Sequence, residues 1–258
     1  MKYTVPLTAA ALLIGLSLTG CNKVPANKVH SAADLVGKTI ACQYGTTGYI
    51  FAGDVENASV VGYNTGSEAI EALKSGQADA VIIDNEPAKL YVSQDPSLTI
   101  LADPFAEEEY AIAYRIGNDE LGEKLDEALS ILKKDGTLGN ITSHWIGENA
   151  DYVSYQPSDE EHPNGQLFMA TNAEFPPYEF FNNGEIVGID ADMMRAVCDK
   201  LGMELVIQNM EFQDILTAVE DGRADVGVAG ITDSDERREI VDFTQSYAVT
   251  TQVIIVRS

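Results

Sequence analysis

Glu71–Asp84 reads EALKSGQADAVIID, and Thr217–Gly230 reads TAVEDGRADVGVAG. Each opens as a helix end, stops at a glycine (Gly76, Gly222), passes through Ala-Asp and runs into an apolar stretch of strand length. A glycine just past helical spacing is a stop signal, and a short apolar run after it is a buried strand. Helices alternating with such strands predict a parallel sheet, in which ligands bind beyond the carboxyl ends of the strands. Asp84 and Gly230 stand at those ends. Two copies of the unit predict two similar lobes that present their loops to a shared cleft.

The same grammar extends outward. KTIAC (38–42) is a strand, GTTG (45–48) a glycine-bounded turn and SEAIEALKSG (67–76) a helix. DELGEKLDEALSILKKDG (119–136) places Leu121, Leu125, Ala128, Leu129 and Leu132 on one face of a long helix, and a second short helix carries Trp145. YVSYQPSDEEHPNGQ (152–166) is acidic, holds Pro and Gly, and reads as a surface connection. The pattern then resumes with strand LFMAT (167–171), helix DADMMRAVCDKLG (190–202), strand ELVIQ (204–208), helix FQDILTAVEDG (212–222), strand ADVGVAG (224–230), helix DSDERREI (233–240) and strand QVIIV (252–256).

Across 258 residues, 45% hydrophobic and 22% charged residues are ordinary for a globular protein. A net charge of -25, from 41 acids against 16 bases, repels phosphates, so nucleic acid is excluded as a partner. Residues 1–20 read as a signal peptide: Lys2, an apolar run from Leu7 to Leu18 too short for a comfortable membrane span, then LTGC, a lipobox that marks Cys21 for lipidation. Residues 21–30 are a polar tether, and a lipidated Cys21 anchors the chain to the bacterial cell membrane on its extracytoplasmic side. Cys42 and Cys198 sit in apolar settings in different lobes and are expected to pack in the core without a disulfide. His30, His144 and His162 show no ligand spacing, so neither a metal nor a cofactor is expected.

Five segments carry a resemblance to a known family: ATNAEFPPYEFFNNGEIVGIDADM, DILTAVEDGRADVGVAGITDSDERREIVDFT, GKTIACQYGTTG, EAIEALKSGQADAVIIDNEPA and LDEALSILKKDGTLGNITSHWIGE. Together they resemble the amino-acid-binding extracellular solute-binding proteins (family 3), the receptor components of ABC importers. The resemblance implies an α/β fold of the two-lobe type II periplasmic-binding-protein class, with mainly parallel sheets and flanking helices. The order of the segments departs from the family, whose members begin with the piece found here near Leu167. Circular permutation explains this: residues 31–116 are the family's second lobe, 117–150 its C-terminal helices packing on the first lobe, 151–166 the joining linker and 167–258 the first lobe. A cut pair of tandem binding domains is the rival explanation. On the permuted reading only Tyr110–Gly117 crosses covalently between lobes, and QVIIV stays in its own lobe's sheet with Ser258 near Val29.

A free amino acid is a zwitterion, so its receptor needs a cation, an acid and a way to exclude water. The resemblance assigns Arg237 to the ligand's α-carboxylate, with Thr232 and the Gly230 backbone beside it, and Asp84 to the ammonium. A guanidinium can bind a carboxylate bidentately, and a cation opening a helix is opposed by the dipole, so Arg237 calls for an anion. Thr46 and Thr47 open a helix whose N–H groups face the carboxylate. Phe175 and Phe212 match aromatic walls. Asn172 stands where relatives that bind basic ligands often carry an acid, and Gln43 adds a second neutral contact, so a glutamine-like ligand is favoured; Glu174, close by, is the residue that could restore a basic preference. The expected protein is a monomeric, lipid-anchored receptor that hands a polar amino acid to an ABC permease. A sensor's ligand domain and a dehydratase-like enzyme on the same fold are the alternatives, the second opposed by the lack of a Ser-His-Asp arrangement or a convincing carboxylate pair.

Overall fold

The computed structural model describes residues 24–158 and 162–258; the signal-peptide and Cys21 readings lie outside them. The chain first runs through β1 (Thr39–Gln43), α1 (Thr47–Gly53), β2 (Ser59–Tyr63), α2 (Gly66–Ser75), β3 (Ala80–Asp84), α3 (Asn85–Gln94), β4 (Leu98–Ile100) and β5 (Ala106–Tyr110). It continues with β6 (Ala113–Tyr114), α4 (Asp119–Lys134), α5 (Thr137–Trp145), β7 (Gln166–Thr171), β8 (Glu174–Phe175), β9 (Glu179–Asn182), β10 (Glu185–Val187) and α6 (Ile189–Leu201). Then follow β11 (Glu204–Asn209), α7 (Ile215–Glu220), β12 (Val226–Gly227), β13 (Asp242–Phe243) and β14 (Ala248–Arg257).

Two open sheets result. One has the order β2-β1-β3-β14-β4 with β5 also on β14, the other the order β11-β7-β12-β6-β13; β8, β9 and β10 form a small antiparallel meander. Local chemistry explains the elements. In α2, Thr65 and Glu68 make a reciprocal capping box, Ala69, Ile70, Ala72 and Leu73 form the buried stripe, and Gly76 ends the helix with φ 78°. β3 is buried along its whole length, as a central strand covered on both faces must be. Leu125, Leu129, Leu132, Leu138, Ile141 and Trp145 of α4 and α5 share one core with Met193, Met194 and Val197 of α6. Cys42 and Cys198 are buried thiols in separate cores, and burial pushes both up to about 12.

The structure differs from the sequence reading at several places. First, the sheets are mixed: β1, β2 and β3 are mutually parallel, as are β11, β7 and β12, but β14 runs antiparallel to β3, β4 and β5, and β6 antiparallel to β12 and β13. The antiparallel strands are the ones that arrive from the other lobe, and they enter the sheet against its direction.

Secondly, QVIIV does not stay with residues 167–247. It forms the end of β14, between β3 and β4, where Gln252 to Val256 are all buried. A run apolar on both faces needs a central position, and that sheet supplies one. The chain therefore crosses between lobes twice, at Tyr110–Ala113 and at Phe243–Ala248, rather than once. The Ser258 N–H donates to the Ser97 carbonyl (2.8 Å) and Arg257 Nε to the Pro25 carbonyl (3.2 Å), so the end of β14 lies against residue 25.

Thirdly, DSDERREI is not a helix but a single 3-10 turn, Arg237–Glu239. Arg237 is its one buried residue, so no apolar face exists to pull the segment into further turns. The expected strand ADVGVAG pairs only over Val226–Gly227, and FQDILTAVEDG opens as a 3-10 turn before α7.

The described start of the connection, residues 151–158, is docked. The Tyr155 N–H donates to Asp192 Oδ2 (3.0 Å), its phenol to Asp199 Oδ2 (2.9 Å), and the Ser158 N–H to Asp199 Oδ2 (2.9 Å), fastening the segment along α6.

Candidate ligand-binding cleft

The carboxyl ends of β1, β3, β7 and β12 converge, and the loops that leave them enclose a narrow, nearly closed cavity of about 10 Å³. Its walls are Gln43, Thr46, Thr47 and Asp84 from one lobe and Asn172, Phe175, Phe212, Ala229, Gly230 and Arg237 from the other. Of the residues that the sequence singled out for the ligand, all line this cavity except Thr232, which stands one contact behind it, and Glu174.

Arg237 is 7% exposed. Its Nη1 donates to the Thr232 carbonyl (2.7 Å), its Nη2 to the Gly45 carbonyl of the opposite lobe (3.2 Å), and its guanidinium lies 5.8 Å from the centre of the Phe212 ring. No carboxylate pairs with it among the described residues, although other arginines have such partners in Asp192, Asp221 and Asp233. Burial holds the guanidinium below its ordinary pKa, against the pull of Glu108 and Asp84 nearby. A buried cation held only by carbonyls and an aromatic face is electrostatically incomplete, and an anion at the cavity would complete it.

Asp84 ends β3 on the far wall, 6% exposed, and accepts a hydrogen bond from the Tyr110 phenol. Burial, and then the charge of Glu108, push its carboxyl up to about 7. It does not cap α3 with its side chain, so that carboxylate remains available to the cavity. A cation there would draw the carboxylate back to its charged form.

The other residues divide into two groups. Thr46 is occupied locally: its Oγ1 accepts from the Tyr49 N–H (3.2 Å) as the cap of α1 and donates to the Gln43 carbonyl (2.8 Å). Gln43 Nε2 donates across the cleft to Asn172 Oδ1 (3.0 Å) and also to the Asn64 carbonyl (3.0 Å), while Asn172 Nδ2 donates to the Met210 carbonyl (2.8 Å). These two amides close one end of the cavity and the Arg237–Gly45 contact another. Glu174 is exposed and is not part of the wall. Gly230, with φ 55°, lies against Phe175, and a Cβ there would come within 2.9 Å of the ring.

Three residues of the site escaped the sequence reading. Tyr110 holds Asp84. Glu108 accepts from Thr232 Oγ1 (3.2 Å) and from Gln252 Nε2 (2.9 Å), so it braces the carbonyl that orients Arg237. Ala229 lines the wall. The period of two in AEEEY was the available signal for the first two, since Glu108 and Tyr110 share the buried face of β5.

Residues 167–258 match the family described as bacterial extracellular solute-binding proteins, family 3. The chain is 32% identical over 98 residues to the arginine-binding extracellular protein ArtP of Bacillus subtilis, which covers 38% of each protein. It is 30% identical over 125 residues to the ABC transporter glutamine-binding protein GlnH of the same organism, 48% of this chain and 46% of the relative. The chain thus spans less than half the length of these two relatives. Among solved structures, the arginine-bound form of domain 1 from TmArgBP is 32% identical and covers 37% of this chain and 82% of that one, with a TM-score of 0.32. Residues 167–258 are thus similar to the bacterial extracellular solute-binding proteins of family 3.

Proposed function

We propose that the protein is the extracytoplasmic receptor of an ABC importer and that it binds a polar L-amino acid between its lobes. The α-carboxylate sits on Arg237 and the α-ammonium on Asp84. One observation carries the reading: Arg237 is a buried guanidinium on the cavity wall with no carboxylate of its own. The neutral far end, Gln43 and Asn172, favours a glutamine-like side chain, and the position of Glu174 outside the wall removes the acid that would have favoured a basic one. Arginine is the competing ligand, because the relatives include proteins named for arginine as well as for glutamine. A thermal-shift screen of the common amino acids tests this: a ligand at a hundred times its Kd adds about 2.7 kcal/mol to stability. A melting temperature unmoved by every amino acid contradicts the proposal.

The same reading makes the chain a circularly permuted member. The family match starts at residue 167, the preceding residues 39–114 supply the sheet and crossing strand that complete the second lobe, and the end of β14 lies against residue 25. Anchoring through Cys21 and a monomeric state belong to this proposal.

A further inference from the structure

Behind Gly230 lies a second pair of acids that the ligand reading does not use. Glu179, in β9, and Asp190, in the first turn of α6, are both fully buried. Asp190 Oδ2 accepts from the Gly230 N–H (2.9 Å) and from the Tyr247 phenol (2.9 Å). Among the described residues, Asp190 Oδ1 and both oxygens of Glu179 have no donor, although the two carboxyl groups lie within hydrogen-bonding reach of each other.

Among the described residues no cation faces the pair. Its neighbours are the phenols of Tyr247 and Tyr178 and, farther off, the carboxylate of Asp84. Two ionised carboxylates in contact inside an apolar core would add mutual repulsion to the desolvation of both, whereas one proton between them turns two orphaned acceptors into a hydrogen bond.

We propose that Glu179 and Asp190 share a single proton, carried by Glu179, and that the resulting pair positions the Gly230 N–H at the ligand cleft. Asp190 keeps the charge because it alone receives outside donors. Burial raises both carboxyl groups, Asp190 to about 6 and Glu179 well above its ordinary range, in keeping with that division. The neutral Glu179 fixes the Asp190 carboxylate, and the carboxylate fixes a Gly230 backbone that a side chain could not replace without meeting Phe175. Glu179 and Asp190 are positioning residues, and their effect on a ligand rests on the cleft reading above.

Infrared spectroscopy of the ligand-free protein at about pH 8, above the ordinary range of carboxylates, tests the proton directly. The expected result is a protonated-carboxyl stretching band in the parent that is lost in Glu179→Gln. Identical spectra in that region overturn the proposal. Calorimetric titration with L-glutamine and L-arginine tests the positioning. Glu179→Gln, whose amide can donate to Asp190, should bind within threefold of the parent, and Glu179→Ala at least tenfold more weakly. A tenfold loss in Glu179→Gln, or parent-like binding in Glu179→Ala, overturns the positioning role. If neither amino acid binds the parent, the ligand reading fails while the infrared band still decides the proton.

Discussion

On the proposed reading, burial turns two common residues, Arg237 and Asp84, into a recognition device. Each is almost wholly removed from water, and among the described residues neither forms a salt bridge that would normally justify that cost. Arg237→Ala and Asp84→Ala should therefore each weaken amino-acid binding by about 2–5 kcal/mol, because each strands one charge of the ligand. Titration calorimetry checks this, and binding within threefold of the parent would remove that residue from the site. Asp84 also makes the site sensitive to pH. Its folded pKa of about 7 lies above the ordinary 3.8, so the native state holds the extra proton. The stability it confers is present below 3.8 and is lost as the pH rises through 7. Binding an ammonium favours the carboxylate, so below about pH 7 the ligand must expel that proton, and affinity should rise about tenfold per pH unit before levelling. Calorimetry from about pH 5 to 8 should show this slope in the parent and a flat profile in Asp84→Asn; a flat parent profile contradicts it.

Elements decide which parts of this could be foreseen. Asp84 and Gly230 were legible because a helix, a glycine stop and an apolar strand form a local pattern, and the ligand side of a parallel sheet follows from it. Glu108 was not, since a charged side chain in an acidic strand reads as solvated until the crossing strand β5 turns it inward. Arg237 was found through its motif, but the helix expected around it was not formed, because charged residues without an apolar stripe gain nothing from packing. The connection 151–166 was read as a plain surface segment, yet α6 holds its Tyr155 and Ser158 through carboxylates. Asp192 is the joint: its Oδ2 accepts from Trp145 Nε1 (2.8 Å) and from the Tyr155 N–H, and its Oδ1 from Arg195 Nη1 (2.6 Å). Asp192→Ala leaves three donors unsatisfied across α5, the connection and α6, and should cost about 3 kcal/mol in urea unfolding. A change below about 0.5 kcal/mol would show that the segment is merely adjacent.

At the scale of the molecule, β14 decides the architecture. Its apolar run announced a buried strand, but nothing in a strand's own residues names the sheet that will take it, so the second crossing became visible only in the fold. Two crossings brace the hinge, and the end of β14 lies beside residue 25. If the chain is a permuted family member, joining Ser258 to residue 24 through a short linker and reopening the chain within 159–161 should give a folded monomer with parent-like affinity. Light scattering and calorimetry would check it, and an aggregated or non-binding product would count against the permutation. The central claim, that the cleft grips both ends of an amino-acid zwitterion, is tested most directly by titrating the protein with the amino acid that stabilises it most and with that amino acid's α-carboxamide. The account predicts saturable one-to-one binding of the free acid and at least a hundredfold loss for the amide, which offers Arg237 no charge; equal affinity for the two would contradict it.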